Sequence, residues 1–462
     1  MDKLPKPRGR MQVERPFWWI PNHDDRKVGV RAHMNVLFVH NNFPAQFQHV
    51  ARALDADPSV RVAAIGSLTS RAMKGVKLVK YSLTDVDVSA THPFARRFDL
   101  ECRRAEQVLY ALSSFATSKF VPDVILAHCG WGETLPLRTI FPKARLLVYC
   151  EFYYGSDGRD VGFDPEFPAT GADGRVALHL KNASSLLALA ECDGGIAPTH
   201  WQQSTFPEPF RQRIMVQHEG VDVGVAKPSS DATFRLPSGH MLRSTDEVVT
   251  FAARNLEPLR GYHIFMRALP RIMAERPSSE ILIVGGYGTS YGARPQNGES
   301  WKSIFLSEVA DRVDIERIHF TDHLPYGDYL RALQISSAHV YFTYPFVLSW
   351  SLLEAMSVGC LVVGSDTAPL REVIENNRNG LLVPFFDVKR LADCVIGALA
   401  DRERYRAIRT RARQTVLDHY DLERICVPRM LALIRGKGIT PSAVEAVRQP
   451  RREQHVLPGA SN

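Results

Sequence analysis

The sequence lacks any apolar run approaching the roughly 18 residues that a membrane-spanning helix needs. Among its 462 residues there are only 7 cysteines, dispersed from Cys102 to Cys426 with no C-x-x-C pair. That excludes a disulfide scaffold and a cysteine-clamped zinc site. An odd, scattered set reads as buried thiols in a reducing, cytoplasmic setting. The 16 histidines show no H-E-x-x-H or comparable ligand spacing, so no metal is expected. No G-x-x-x-x-G-K-[ST] is present, which removes a P-loop. Strong charge of one sign is also missing: 57 Lys and Arg against 50 Asp and Glu leave +7. So small an excess leaves room for an acidic ligand or an anionic membrane surface, and no nucleic acid is expected as a partner.

What is present is organised as two series. Residues 1–33 contain Arg15-Pro-Phe-Trp-Trp-Ile-Pro21, too short an apolar stretch for a signal peptide. They are expected to be a flexible extension, with a Trp-rich membrane-interface anchor as the alternative reading. An apolar strand at 35–39 runs into His-Asn-Asn-Phe-Pro and then a helical face of Phe47, Val50, Ala51 and Leu54. Strands follow at 60–65, 124–127, 146–149 and 195–197, with helices at 94–118 and 176–190 and a Gly/Asp-rich loop at 155–174. A second series has strands at 248–252, 281–284, 317–320, 340–343 and 361–363, and helices at 261–275, 327–335, 349–358, 388–400 and 402–436. The expected fold is α/β: two Rossmann-like, doubly wound domains facing a central cleft. The expected borders are 34–225 for the N-terminal domain, 226–245 for a Pro/Ser/Gly-rich linker and 246–400 for the C-terminal domain. C-terminal helices at 401–436 would cross back to the N-terminal domain, and 437–462 would be a flexible tail.

Two segments carry chemistry. Arg254-Asn-Leu-Glu-Pro-Leu-Arg260-Gly261 follows a strand and precedes a helix. Two guanidiniums beside a helix N-terminus make a diphosphate site, because Arg bonds phosphate in a bidentate, charge-assisted way. Two solvated surface arginines are the plainer reading. Tyr344-Pro-Phe-Val-Leu-Ser-Trp-Ser-Leu-Leu-Glu-Ala-Met356 again puts a loop between strand and helix. The amides of Val347, Leu348 and Ser349 would meet an anion. Glu354, set in an apolar run, needs a partner, either sugar hydroxyls or an internal ion pair.

Together these segments resemble retaining glycosyltransferases of family 4, which have the GT-B fold. The likeness runs over about residues 35–435. It includes His218-Glu-Gly-Val-Asp222, similar to the family's Asn-Gly-Val-Asp, and the phrases 364–374 and 379–384. A bacterial subgroup has the same 344–356 phrase and the same His40-Asn-Asn-Phe-Pro-Ala-Gln-Phe47 loop. The resemblance implies that Arg254 and Arg260 hold the donor diphosphate and serve catalysis. It implies that Glu354 anchors the ribose and that His128, in Ala127-His128-Cys-Gly-Trp-Gly132, orients the sugar. The first Glu of the family's Glu-x7-Glu motif falls on Phe346; Ser349 and backbone amides are the expected substitutes. Gly285, in the glycine turn after Val284, is expected near the nucleotide, and Asn41, Asn42 and Glu151 near acceptor or phosphate. The activity implied is transfer of a sugar, with retention and without a metal or other cofactor, from a nucleotide-diphosphate sugar, UDP- or GDP-linked. The acceptor would be a glycan, glycolipid or small-molecule hydroxyl, as in cell-envelope polysaccharide synthesis. A nucleotide-sugar epimerase, a nicotinamide dehydrogenase and a non-catalytic nucleotide-sugar-binding relative are the alternatives.

Three other features are read conservatively. Gly286-Tyr-Gly-Thr-Ser-Tyr-Gly292 has the wrong spacing for a dinucleotide fingerprint, and Asp85-Val-Asp87 fits a solvated turn. Basic clusters at 71–80, 96–104 and 402–413 fit solvated helical faces, or peripheral docking on anionic lipid at the inner face of a membrane.

Overall fold

The computed structural model describes residues 33–436 except 84–85, 118–119, 157, 168–170 and 296–297. The N-terminal extension up to 32, the tail from 437 and Asp85 lie outside the described residues. The first apolar series forms Met34–Val39 (β1), Val60–Ser67 (β2), Lys77–Tyr81 (β3), Val124–His128 (β4), Arg145–Tyr149 (β5), Gly194–Ala197 (β6) and Ile214–Val216 (β7). They make one sheet in the order β3-β2-β1-β4-β5-β6-β7. After an antiparallel hairpin, Thr233–Arg235 (β8) with Met241–Arg243 (β9), come Val248–Asn255 (β10), Glu280–Gly286 (β11), Ile318–Thr321 (β12), Ala338–Tyr341 (β13), Val362–Ser365 (β14) and Leu381–Val383 (β15). Their order is β12-β11-β10-β13-β14-β15. Every pairing in the two large sheets is parallel. A parallel sheet is covered by helices on both faces, which is why its strands read as unbroken apolar runs. Val36, Leu37, Phe38 and Val39 are all fully buried.

The structure departs from the sequence reading where short or polar elements are involved. The edge strands β3 (Lys-Leu-Val-Lys-Tyr) and β7 were not anticipated. The helix expected at 176–190 is two, Ala172–Leu180 and Ala183–Glu191. The break falls where the buried Asn182 side chain accepts from Tyr154 N and donates to Tyr154 O. The stretch expected as a linker holds the β8–β9 hairpin, whose Phe234 and Leu242 pack with Val248 and Leu282. The expected 402–436 helix is interrupted by a π-turn at Leu422–Cys426, and the final helix, Val427–Ile434, packs Met430, Leu433 and Ile434 with Val36 and Phe38 of β1. The arginines at 402–413 are not one solvated face. Arg402, Arg409 and Arg413 turn inward and donate to the carbonyls of Ser244, Ser337 and Ser357, satisfying orphan acceptors at loop ends. Arg404, Arg406 and Arg411 are exposed.

Two features place the two halves. Strand order reverses between β1 and β4 in one sheet and between β10 and β13 in the other. Such switch points open crevices at the carboxyl ends of the strands, where α/β proteins bind ligands. The second feature is the segment after β5, which straps across the other half. Phe152 packs in the cluster of the second sheet, Phe163 lies 5.1 Å from Tyr344, and Phe167 meets Trp301 at 5.3 Å. Buried Asp164 accepts from Tyr344 Oη at 2.7 Å and lies 3.0 Å from His263 Nε2. Glu166 and Glu308 share Arg267.

Candidate active site

The carboxyl ends of β10 and β13 supply one lip. Arg254 ends on β10 with an exposed side chain and, among the described residues, no carboxylate partner. Arg260 closes the 3-10 turn Pro258–Arg260. Its Nη1 donates to Thr343 Oγ1 at 3.0 Å and to Val347 O at 3.2 Å. The guanidinium lies 5.9 Å from the Phe346 ring centroid and 6.0 Å from that of Tyr291. Gly261, at φ +69°, then opens helix Tyr262–Glu275. A Cβ there would stand 2.3 Å from Phe342 Cβ, so only glycine lets the turn sit against the strand. Among the described residues, the amides of Val347 and Leu348 have no protein acceptor. Ser349 differs from its expectation: its amide donates to Tyr341 Oη at 2.8 Å, and its hydroxyl caps helix Trp350–Ser357.

The ends of β1, β4 and β5 supply the other lip. His40, His128 and His218 each accept at Nδ1 from the amide two residues on, Asn42 at 2.9 Å, Gly130 at 3.1 Å and Gly220 at 2.9 Å. That fixes the neutral tautomer with its proton on Nε2, a donor. Burial, with the nearby His128, pushes the His40 pKa down to about 3, so His40 stays neutral. His128 Nε2 is 3.4 Å from Glu151 Oε2 without hydrogen-bond geometry, and it has no bonded partner among the described residues. Burial opposes charge on His128 and the Glu151 carboxylate favours it, with a net upward pull. The Gly130 amide can bond Nδ1 only in the neutral form, which we take as the resting one. Glu151 Oε1 accepts from Gln46 Nε2 at 3.0 Å. Burial pushes the Glu151 carboxyl up, but its polar and charged neighbours, His128 first and Arg254 among them, outweigh it and hold it below its usual range. Glu219 links the lips, accepting from Tyr149 Oη and, at 3.0 Å, from Trp350 Nε1.

Between the lips lies a cleft with about 860 Å³ of empty space. It gathers Glu151, Arg254, Arg260, Val347, Leu348 and Ser349 from the expected residues. Gln46, His218, Glu219, Tyr291 and Trp350 line it as well; each lies in a phrase the sequence singled out, but none was named there as a site residue. His128 touches the cleft through Glu151. Asn41 and Asn42 are not among the lining residues; the Asn41 carbonyl is taken by Ser67 N and Ser70 Oγ. Gly285 is buried against Ala253 O, a packing position. Glu354 lies one turn into its helix, accepting from Tyr326 Oη at 2.9 Å, and burial raises its pKa. Phe346 is 1% exposed and packs on Phe152 at 4.6 Å, so that position offers no side-chain polar contact. Gly288-Thr-Ser-Tyr-Gly292 has the spacing of a serine nucleophile elbow. Ser290 Oγ, however, accepts from Asn255 Nδ2 and bonds no histidine among the described residues, and the amides of Ser290, Tyr291 and Gly292 converge on buried Glu257. The glycine loop is thus tied down by a carboxylate.

Two Rossmann-like domains with charged groups on both lips of one cleft define the GT-B class of protein. Residues 58–226 match the family model described as "Glycosyl transferase family 4 group", and 238–415 that of "Glycosyl transferases group 1". The phosphatidyl-myo-inositol mannosyltransferase of Mycolicibacterium smegmatis is 31% identical over 297 residues, 57% of this chain and 72% of that protein. A GDP-mannose-dependent alpha-(1-6)-phosphatidylinositol monomannoside mannosyltransferase of Mycobacterium tuberculosis is 24% identical over 62% of this chain and 70% of its own length. Sucrose-phosphate synthase from Thermosynechococcus elongatus superposes with a TM-score of 0.66 at 17% identity, over 87% of this chain and all but 1% of that one (99% covered). Anabaena HepE in complex with UDP and glucose gives 0.57 at 16% identity, over 87% and 100%. The chain belongs to glycosyltransferase family 4 and is a glycosyltransferase.

Proposed function

We propose that the chain moves a sugar from a nucleotide-diphosphate sugar to a hydroxyl acceptor, with retention of configuration and without a metal ion. The observation that carries this reading is the pair Arg254 and Arg260. They are two guanidiniums without carboxylate partners among the described residues, beside the free amides of Val347 and Leu348. Positive charge fixed where a diphosphate leaves stabilises the transition state without reorganisation. His128 would donate from Nε2 to a hydroxyl of the transferred sugar, and Glu151 would accept from one. Glu354 would exchange its bond from Tyr326 for ribose hydroxyls. The bond from anomeric carbon to phosphate oxygen breaks, and the acceptor oxygen bonds that carbon on the same face. The acceptor's proton passes to the departing phosphate oxygen.

Relatives are named for GDP-mannose as donor, and for phosphatidylinositol monomannoside or D-inositol 3-phosphate as what is acted on. By that likeness a GDP-hexose and a polyol or lipid-linked acceptor are the first pair to try, with UDP-sugars next. The site of action would be cytoplasmic, in peripheral contact with a membrane. The test is thermal stabilisation by UDP-, GDP-, ADP- and dTDP-sugars with NAD as control, since ligand bound only to the native state raises Tm. One sugar nucleotide should shift Tm, and NMR of the product should show the donor's anomeric configuration. A response to NAD alone refutes the donor assignment, and an inverted product refutes retention.

A further inference from the structure

Beyond the cleft, on the N-terminal lip, two cations interact with each other while each lies over an aromatic ring. Lys181 sits between helices Ala172–Leu180 and Ala183–Glu191, and its Nζ lies 3.4 Å from the Tyr154 ring centroid. Among the described residues no carboxylate comes within ion-pair distance of it. The buried Asn182 next to it is bonded both ways to the Tyr154 backbone, which fixes lysine over ring. Arg97, near the start of helix Arg96–Thr117, lies over the Trp131 ring at 5.1 Å. Its Nε is held by Glu101 Oε1 at 2.5 Å, and its Nη2 donates to Gly130 O at 3.4 Å. Trp131 in turn stands 6.0 Å from His128, and Tyr154 feels the charges of both Glu151 and Arg97.

Lys181 therefore pays for burial without the carboxylate that normally relieves it. Burial and then the like charge of Arg97 push its pKa down to about 8. Glu101 is already shared between Arg97 and Ser184. Asp160, the other acid acting on Lys181, is itself pushed up to about 6 by burial and has an unpartnered Oδ1. Two like charges held close to each other on half-buried, ring-backed side chains are complementary to a polyvalent anion.

We propose that Lys181 and Arg97 form an acceptor subsite for a phosphate ester, seated between Tyr154 and Trp131, so that the acceptor's hydroxyl reaches Glu151 and His128. This rests on the glycosyl-transfer reading and names the chemistry of its acceptor. A phosphorylated polyol and a lipid headgroup present the same group, and the experiment separates them.

Full-length protein is titrated calorimetrically with glycerol 1-phosphate and with glycerol, with a saturating nucleoside diphosphate filling the donor side. Vesicles of phosphatidylcholine with and without phosphatidylglycerol form the second arm. The ester should bind and glycerol should not; Lys181→Met should weaken binding at least tenfold, and Lys181→Arg should stay within about threefold of wild type. A Lys181→Met effect confined to the vesicles identifies a lipid headgroup, and one on the soluble ester identifies a free phosphate. Arg97→Met is the second variant, judged only if its Tm shows a folded protein. Unchanged affinity in Lys181→Met in both arms, or equal loss in Lys181→Arg, overturns the subsite. Nucleotide-sugar binding by the wild type is scored separately, so failure of the donor reading is distinguishable from failure of this one.

Discussion

Replacing Arg260 by alanine separates chemistry from folding. Nη1 is spent on Thr343 and Val347; Nε and Nη2 have no protein acceptor among the described residues and are free for a diphosphate. Two charge-assisted bonds are worth about 1.5–3 kcal/mol each. Part of that is already made in the ground state, leaving about 3–4 kcal/mol that grows as charge develops on the leaving group. Arg260→Ala should then lower kcat by about 10²–10³ at saturating donor. The structural cost is smaller. Two hydrogen bonds and the cation–π contacts with Phe346 and Tyr291 amount to about 2 kcal/mol, so Tm should fall only a few degrees. Arg260→Lys keeps a charge but not the fork and should recover about tenfold of the lost rate. The assay is initial-rate transfer with Tm recorded on the same samples. A kcat within threefold of wild type in a folded Arg260→Ala protein would refute the assignment.

Asp160 has its pKa raised from 3.8 to about 6 by burial. A raised carboxyl contributes stability in full below about pH 4 and loses it as pH rises to 6. Asp160→Asn should therefore raise stability at pH 7.5 by up to about 3 kcal/mol, a gain that disappears near pH 4; equal Tm changes at both pH values would contradict this. Gly261→Ala forces a Cβ into Phe342 at positive φ and should cost about 2–4 kcal/mol, read from urea midpoints. Asp164→Ala leaves His263 and Tyr344 Oη without their partner in a buried setting and should cost about 2–4 kcal/mol. Limited proteolysis should then cut the 152–167 segment faster, whereas unchanged cleavage would mean that the strap is held by its aromatics alone.

The parts legible in the sequence were those with local signatures. The runs at 35–39 and 248–252 announce buried parallel strands because both faces of such a sheet are covered. Arg254 and Arg260 flank a turn whose chemistry is contained in eight residues. Less legible were β3 and β7, short edge strands carrying lysines or little periodicity, and the β8–β9 hairpin hidden in a Pro/Ser/Gly stretch. The arginines at 402–413 read as one charged face because composition does not tell which long side chains find carbonyls. Gln46 lay in the 40–47 phrase without being marked as a site residue: its role follows from meeting Glu151, 105 positions away, at 3.0 Å.

By itself the sequence determined two βα series, their strand ends and the cation pair, because periodicity, burial and turn chemistry act over a few residues. Only the tertiary structure decided that Phe346 is walled in by Phe152 from the other half. It alone set Glu151 opposite Arg254, clamped Glu219 between Tyr149 and Trp350, and left Lys181 near Arg97 with no carboxylate at ion-pair distance among the described residues. These are pairings between distant segments, and their energy depends on the distance and dielectric that packing creates, which no local pattern records.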